Sequence, residues 1–171
     1  MLWGPLTRLG LMVAAASAAI DQASKLWLIH VYDLGAQKPV QPPPFLELVL
    51  TWNPGISYGL FKQSTPFGQW ALLAVMAAAA VLLWMWLARA SSRLTAVALG
   101  LILGGAAGNA IDRILYGAVA DFISFHVRTE WIQFDWYVFN LADAAIVAGV
   151  IGLLYESVLG NRAAKAPRSP T

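Results

Sequence analysis

The stretch Gly100-Leu101-Ile102-Leu103-Gly104-Gly105-Ala106-Ala107-Gly108-Asn109-Ala110-Ile111-Asp112-Arg113 decides the fold. Glycines 100, 104 and 108 recur every four residues, so they share one face of a helix. Small residues at this spacing let a second helix approach closely in a membrane. Asn109, Asp112 and Arg113 follow at i, i+3 and i+4 and share a face as the span ends. Read locally, they form an intrahelical Asp112–Arg113 ion pair with Asn109, or they contact a substrate, and the two readings are compatible.

Outward from this span the chain stays apolar. Of its 171 residues, 59% are hydrophobic and 12% charged, with mean hydropathy +0.64. Soluble domains carry about 25% charged residues, so most of this surface faces lipid. Four stretches are long enough to cross a bilayer core as helices, at about 20 residues each: roughly 9–31, 67–88, 94–111 and 138–159. The expected fold is an all-α membrane protein of four transmembrane helices with a small extracytoplasmic sheet, in a single domain over 1–160. From Asn161 the chain turns polar and reads as a disordered tail. The first stretch has the Ala-rich look of a cleavable signal peptide, but its apolar run continues past Asp21 through Leu26-Trp27-Leu28-Ile29.

The chain has no cysteine, which removes thiol catalysis and thiolate metal sites. Two histidines, His30 and His126, are too few for a His-rich metal site. Neither metal nor cofactor is expected. The net charge of +2 is explained by orientation in a membrane rather than by nucleic acid. Arg8, Arg89, Arg93, Arg162, Lys165 and Arg168 fall on one side by span counting, which the positive-inside rule makes cytoplasmic. Both termini are then cytoplasmic, and the loops of about 32–66 and 112–137 lie outside. Residues 45–61, rich in β-formers around Pro54-Gly55, read as a small strand pair or sheet at the interface. Trp131, Trp136 and Tyr137 read as interfacial anchors.

Two acids stand out in the outer half. Asp121 lies in Val119-Ala120-Asp121-Phe122 and Asp143 in Phe139-Asn140-Leu141-Ala142-Asp143-Ala144. A carboxylate at membrane depth costs about 2.5–3.5 kcal/mol at a helix centre. Asp121 also reads as a loop acid. Asp143 also reads as a cap of the fourth span, although Asn140 already supplies that cap. In span one, Asp21 and Lys25 are at i, i+4 in the favourable order for an ion pair, beside Gln22. In the first outer loop, Gly55 fits a turn and the Asn53 amide fits a peptide backbone.

Five blocks, in this order, resemble lipoprotein signal peptidase, the signal peptidase II family of bacterial inner-membrane aspartyl proteases. They are Asp21-Gln22-Ala23-Ser24-Lys25, Asn53-Pro54-Gly55-Ile56-Ser57-Tyr58-Gly59, Gly104 to Arg113, Val119 to Phe122, and Phe139 to Asp143. The one departure is Ala144, where the family often has Ser. The resemblance implies that Asp121 and Asp143 are the catalytic dyad. It implies that Asn53, Gly55, Asn109, Arg113 and Asn140 bind substrate or brace the cleft, and that Asp21, Lys25 and Asp112 are structural. The implied substrate is a diacylglyceryl-prolipoprotein, cut before its lipidated Cys near the periplasmic face. A monomer is the simplest expectation. The alternative is a small proton-coupled transporter, which predicts ionisable residues near mid-membrane and a polar path to both faces. A non-catalytic scaffold has no use for two acids at matching depth.

Overall fold

The computed structural model describes residues 2–37, 45–55, 66–129, 131 and 133–165. Four long helices, α1 (Thr7–Leu26), α2 (Pro66–Leu87), α3 (Arg93–Tyr116) and α4 (Leu141–Lys165), carry a sheet of β1 (Leu46–Asn53), β2 (Val119–Arg128) and β3 (Gln133–Asp135) at one end. A π-helical turn, Trp27–Val31, continues α1.

The glycine face of α3 does what its spacing requires. A methyl on Gly100 would run into Gly10 and Val13 of α1, one on Gly104 into Ala14 and Ser17, and one on Gly108 into the Asp21 carboxylate. Gly105 faces Ala142 and Ile146 of α4 instead. α3 is therefore the central helix, packed on α1 with one face and on α4 with another. Its start is capped by Ser92, whose hydroxyl accepts the Leu94 and Thr95 N–H groups at 3.2 and 3.5 Å. Its end is closed by Gly117 at φ 73°, in the left-handed region where glycine is free of Cβ strain.

Segments of α2, α3 and α4 are long and apolar enough to cross a membrane: Trp70–Leu87, Arg93–Tyr116 and Leu141–Val158, with mean hydropathy 2.2, 1.8 and 1.7. Trp70, Val75, Leu82 and Trp86 of α2 point outward, as lipid-facing side chains do. The structure thus has three such helices among the described residues, against the four expected. α1 is less apolar because it carries buried Asp21 and Lys25. α3 also runs five residues beyond the expected 111, and α4 begins at Leu141 rather than 138 and continues past Asn161.

The helices alternate in direction. The Cα of Gly4 lies beside Ala88, Gly10 beside Leu87 and Ala96, and Gly152 beside Leu94. The start of α1, the end of α2, the start of α3 and the later part of α4 therefore share one end, where Arg8, Arg89 and Arg93 occur. The sheet and the polar side chains lie at the other.

The small sheet expected at 45–61 forms, but only one of its strands comes from that stretch. β1 pairs antiparallel with β2, from Leu46 opposite Phe125 to Asn53 opposite Val119, with an irregularity between Leu48 and Thr51. β2 then pairs with β3. The physical reason is burial: the apolar positions Val119, Ala120 and Phe122 of the second loop are buried, and β1 covers them. Residues 56–61 lie outside the described residues. Leu28, Leu34 and Phe122 form a small core under the sheet with Leu48, Leu50 and Leu141, which fixes β2 on the helix ends.

Candidate active site

The site grows from two helix ends and two strands. Asp121 comes from β2, Asp143 from the first turn of α4, Asn109 and Arg113 from the last turns of α3, and Asn53 from the end of β1. These five line one cavity of about 170 Å³ with Leu72, Met76 and Ala106. Asp121, which sequence alone allows as a loop acid, is a strand residue only 3% exposed.

Asn140 ties the two acids together. Its side-chain amide donates to Asp121 Oδ1 at 2.6 Å, and its backbone N–H donates to Asp143 Oδ2 at 3.2 Å. In return the Asp143 N–H donates to Asn140 Oδ1 at 2.9 Å. This is a capping box with Asp at the third helical position. Asp143 is therefore both a cap and a site residue, and the two readings of it are not alternatives. Its other oxygen accepts from Asn109 Nδ2 at 2.8 Å. Asp121 Oδ2 accepts from Asn53 Nδ2 at 3.2 Å. Asn53 Oδ1 accepts the Gly55 N–H at 3.0 Å, a side-chain turn that aims the amide. Gly55 and Asn140 stand behind the cavity wall and brace it.

The expected Asp112–Arg113 pair gives way to other partners. Arg113 donates to the Gly55 carbonyl at 2.7 Å and to its own helix at Asn109 O, 3.0 Å, so it pins the β1 turn over the site. Asp112 turns to α1, where Lys25 Nζ lies 2.8 Å from Asp112 Oδ2 and 2.8 Å from Asp21 Oδ2. The expected Asp21–Lys25 pair is thus one half of a triad. All three are buried, with exposures of 0–2%. Their remaining capacity is filled, as buried charge requires: Asp21 Oδ1 accepts the Ala142 N–H at 2.9 Å and Asp112 Oδ2 the Ala120 N–H at 3.1 Å. Gln22, noted in the sequence without a role, donates to Asp112 Oδ1 at 2.8 Å and to Gly108 O at 3.1 Å. The signal for it was its place one turn before Lys25 on the buried face.

Burial, and then the charge of Asp143, push the Asp121 carboxyl up to about 6, against the pull of its Asn53 and Asn140 donors. No group of three or more His, Cys, Asp or Glu that could hold a metal occurs among the described residues. Two apolar grooves reach the site. One, between α2 and α3, shares Met76 and Ala106 with the cavity. The other, under Trp136, Tyr137 and Phe139 along α4, reaches Asp143.

The fold is that of a membrane protein with a buried polar site at one end of its apolar helices. Residues 13–159 match the family model described as signal peptidase (SPase) II, and the chain belongs to that family. It is 57% identical to a lipoprotein signal peptidase of Nitrobacter hamburgensis over 160 residues, covering 94% of this chain and 98% of that one. It is 51% identical to one from Rhodopseudomonas palustris, with the same coverage. A solved bacterial membrane enzyme shares the fold, with TM-score 0.73 and 24% identity over 95% of this chain and 94% of that one. The transporter alternative finds no support: the matched family is a peptidase family, and the buried charged groups gather at one end of the helices.

Proposed function

We propose that the chain is an aspartyl endopeptidase that removes the signal peptide from diacylglyceryl-modified prolipoproteins, cutting before the lipidated Cys, with Asp121 and Asp143 as the catalytic pair. The observation that carries this reading is Asn140, which bonds to both carboxylates and holds them on one cavity. The pair with one proton performs the reaction in two movements. The ionised carboxylate takes a proton from water as the oxygen attacks the scissile carbonyl, and the protonated one donates to the carbonyl oxygen as it becomes tetrahedral. The intermediate then collapses: one hydroxyl proton returns to the second carboxylate as the C–N bond breaks, and the amine of the Cys leaves with the proton that the first carboxylate took from water.

Asn53, Asn109 and Arg113, on the cavity wall, are placed to contact the substrate backbone. The two grooves suit the apolar parts of such a substrate, its acyl chains and its signal helix. Acyl chains held in the bilayer fix the modified Cys at one depth, and positioning of this kind supplies much of a rate enhancement. In this reading α1 is the fourth span, with its charges buried inward. The protein is a monomer in the bacterial inner membrane, with both termini cytoplasmic and the site near the periplasmic face, as the positive-inside rule requires. The test is incubation of the purified chain in detergent with a diacylglyceryl prolipoprotein and with its unlipidated form. Release of signal peptide from the first and far less from the second supports the reading. No release from the lipidated form overturns it.

A further inference from the structure

Lys25 lies behind the site, on a helix that contributes nothing to the cavity wall. Its ammonium is 2% exposed and held by Asp21 and Asp112. It also donates, at 3.3 Å, to Asn109 Oδ1. The same oxygen accepts from Asn140 Nδ2 at 3.1 Å. With two donors on its oxygen, the Asn109 amide has one orientation left, and its nitrogen faces Asp143 Oδ1 at 2.8 Å.

We propose that Lys25 is a positioning residue for the peptidase reaction, acting through Asn109 on Asp143. This rests on the reading of Asp121 and Asp143 as the catalytic pair. An ammonium on the carbonyl end of an amide polarises it, and the opposite N–H end becomes a stronger donor. The chain Lys25–Asn109–Asp143 therefore favours a carboxylate that has given up its proton, the form that can activate water. Asp21 and Asp112 leave the triad with a net charge of −1, so Lys25 does not act as a bare cation beside the pair. It acts along a bonded path. Asn140 fixes the same amide by geometry but brings no charge. The charged groups facing this path are Lys25 and Asp21 from α1, Asp112 and Arg113 from α3, Asp121 from β2 and Asp143 from α4.

The test is the full chain in detergent carrying Lys25→Met together with Asp112→Asn, which removes one charge of each sign and leaves the net charge of the triad unchanged. The expected result is a folded protein by thermal unfolding. Its kcat should be lowered about 10- to 100-fold, the scale of one charge-assisted hydrogen bond, with KM little changed. The acidic limb of its pH profile should move to higher pH. A purely structural role lowers the unfolding temperature and leaves the acidic limb in place, and that result overturns the proposal. If the double variant does not fold, Asn109→Ala decides, because it cuts the path and leaves the ion triad whole. Its acidic limb must move in the same direction, and an unmoved limb overturns the proposal. Asp121→Asn and Asp143→Asn are assayed alongside. Near-normal turnover in either sinks the catalytic pair itself, whereas loss in both with an unmoved limb in the Lys25 variant sinks only this inference.

Discussion

The Asp21 carboxylate accepts the backbone N–H of Ala142, 121 positions further along the chain, at 2.9 Å. This bond joins the polar turn of α1 to the first turn of α4, next to Asp143. Behind it, Lys25 joins Asp21 to Asp112, and Asp112 holds the Ala120 N–H beside Asp121. Each candidate catalytic residue thus follows directly on a backbone group fixed by a buried carboxylate.

Asp21→Ala leaves Lys25 with one counter-ion and the Ala142 N–H unpaired. Breaking a buried ion pair costs about 3–5 kcal/mol. Thermal unfolding in detergent should shift down markedly, and activity should fall with the folded fraction. An unchanged unfolding temperature would argue against a structural role for the triad.

Gly104→Leu should separate α3 from α1, because even a methyl there overlaps the Ala14 backbone. Overpacking costs about 1–3 kcal/mol, more than the gain in helix propensity on replacing glycine, about 0.5–1 kcal/mol. Reduced thermal stability is the expected readout. Gly35→Leu, at a position where an added Cβ meets only a 3.4 Å contact with Leu50, should cost less.

Asn140→Ala removes the bridge between the carboxyls and the cap of α4. The cap alone is worth about 1 kcal/mol. The larger effect should be on turnover, because Asp121 loses its 2.6 Å donor. A loss of kcat that exceeds what the stability change explains is the expected result of steady-state assays. A proportionate loss would make Asn140 a cap only.

The pH dependence follows from Asp121, raised to about 6 by burial and then by Asp143. A carboxyl whose folded value lies above its unfolded value of about 3.9 binds its proton more tightly in the folded state. Its contribution to stability is fully present below about 4 and is lost as pH rises through about 6. In the free enzyme the upper titration of the pair should lie near that value and rise when lipid and substrate displace water. Asn53→Ala removes a donor that favours the ionised form, so the same limb should move to higher pH in a profile of kcat/KM. A shift to lower pH would contradict this electrostatic account.

Much of this was legible in the residues. The 100/104/108 spacing carried the α1–α3 contact, and the i, i+4 order of Asp21 and Lys25 carried one half of the triad. Asp121 and Asp143 could be paired because apolar surroundings make lone acids conspicuous. What sequence could not supply was long-range partnership. Asp112 and Arg113 are neighbours in sequence, and a local reading pairs them, yet each finds a better-placed partner on another element. β1 likewise pairs with a strand more than sixty residues away, since hairpin signals report only local turns. The dual use of Asp143 as cap and site residue was hidden because both readings predict the same residue at the same position.

The central claim is that Asp121 and Asp143 act as one catalytic pair, and turnover of a diacylglyceryl prolipoprotein by purified Asp143→Asn and Asp121→Asn tests it most directly. The account predicts that each variant folds and that signal-peptide release falls about 10²- to 10⁴-fold in each, the range for loss of a general acid or base. Near-normal release by either folded variant would contradict it.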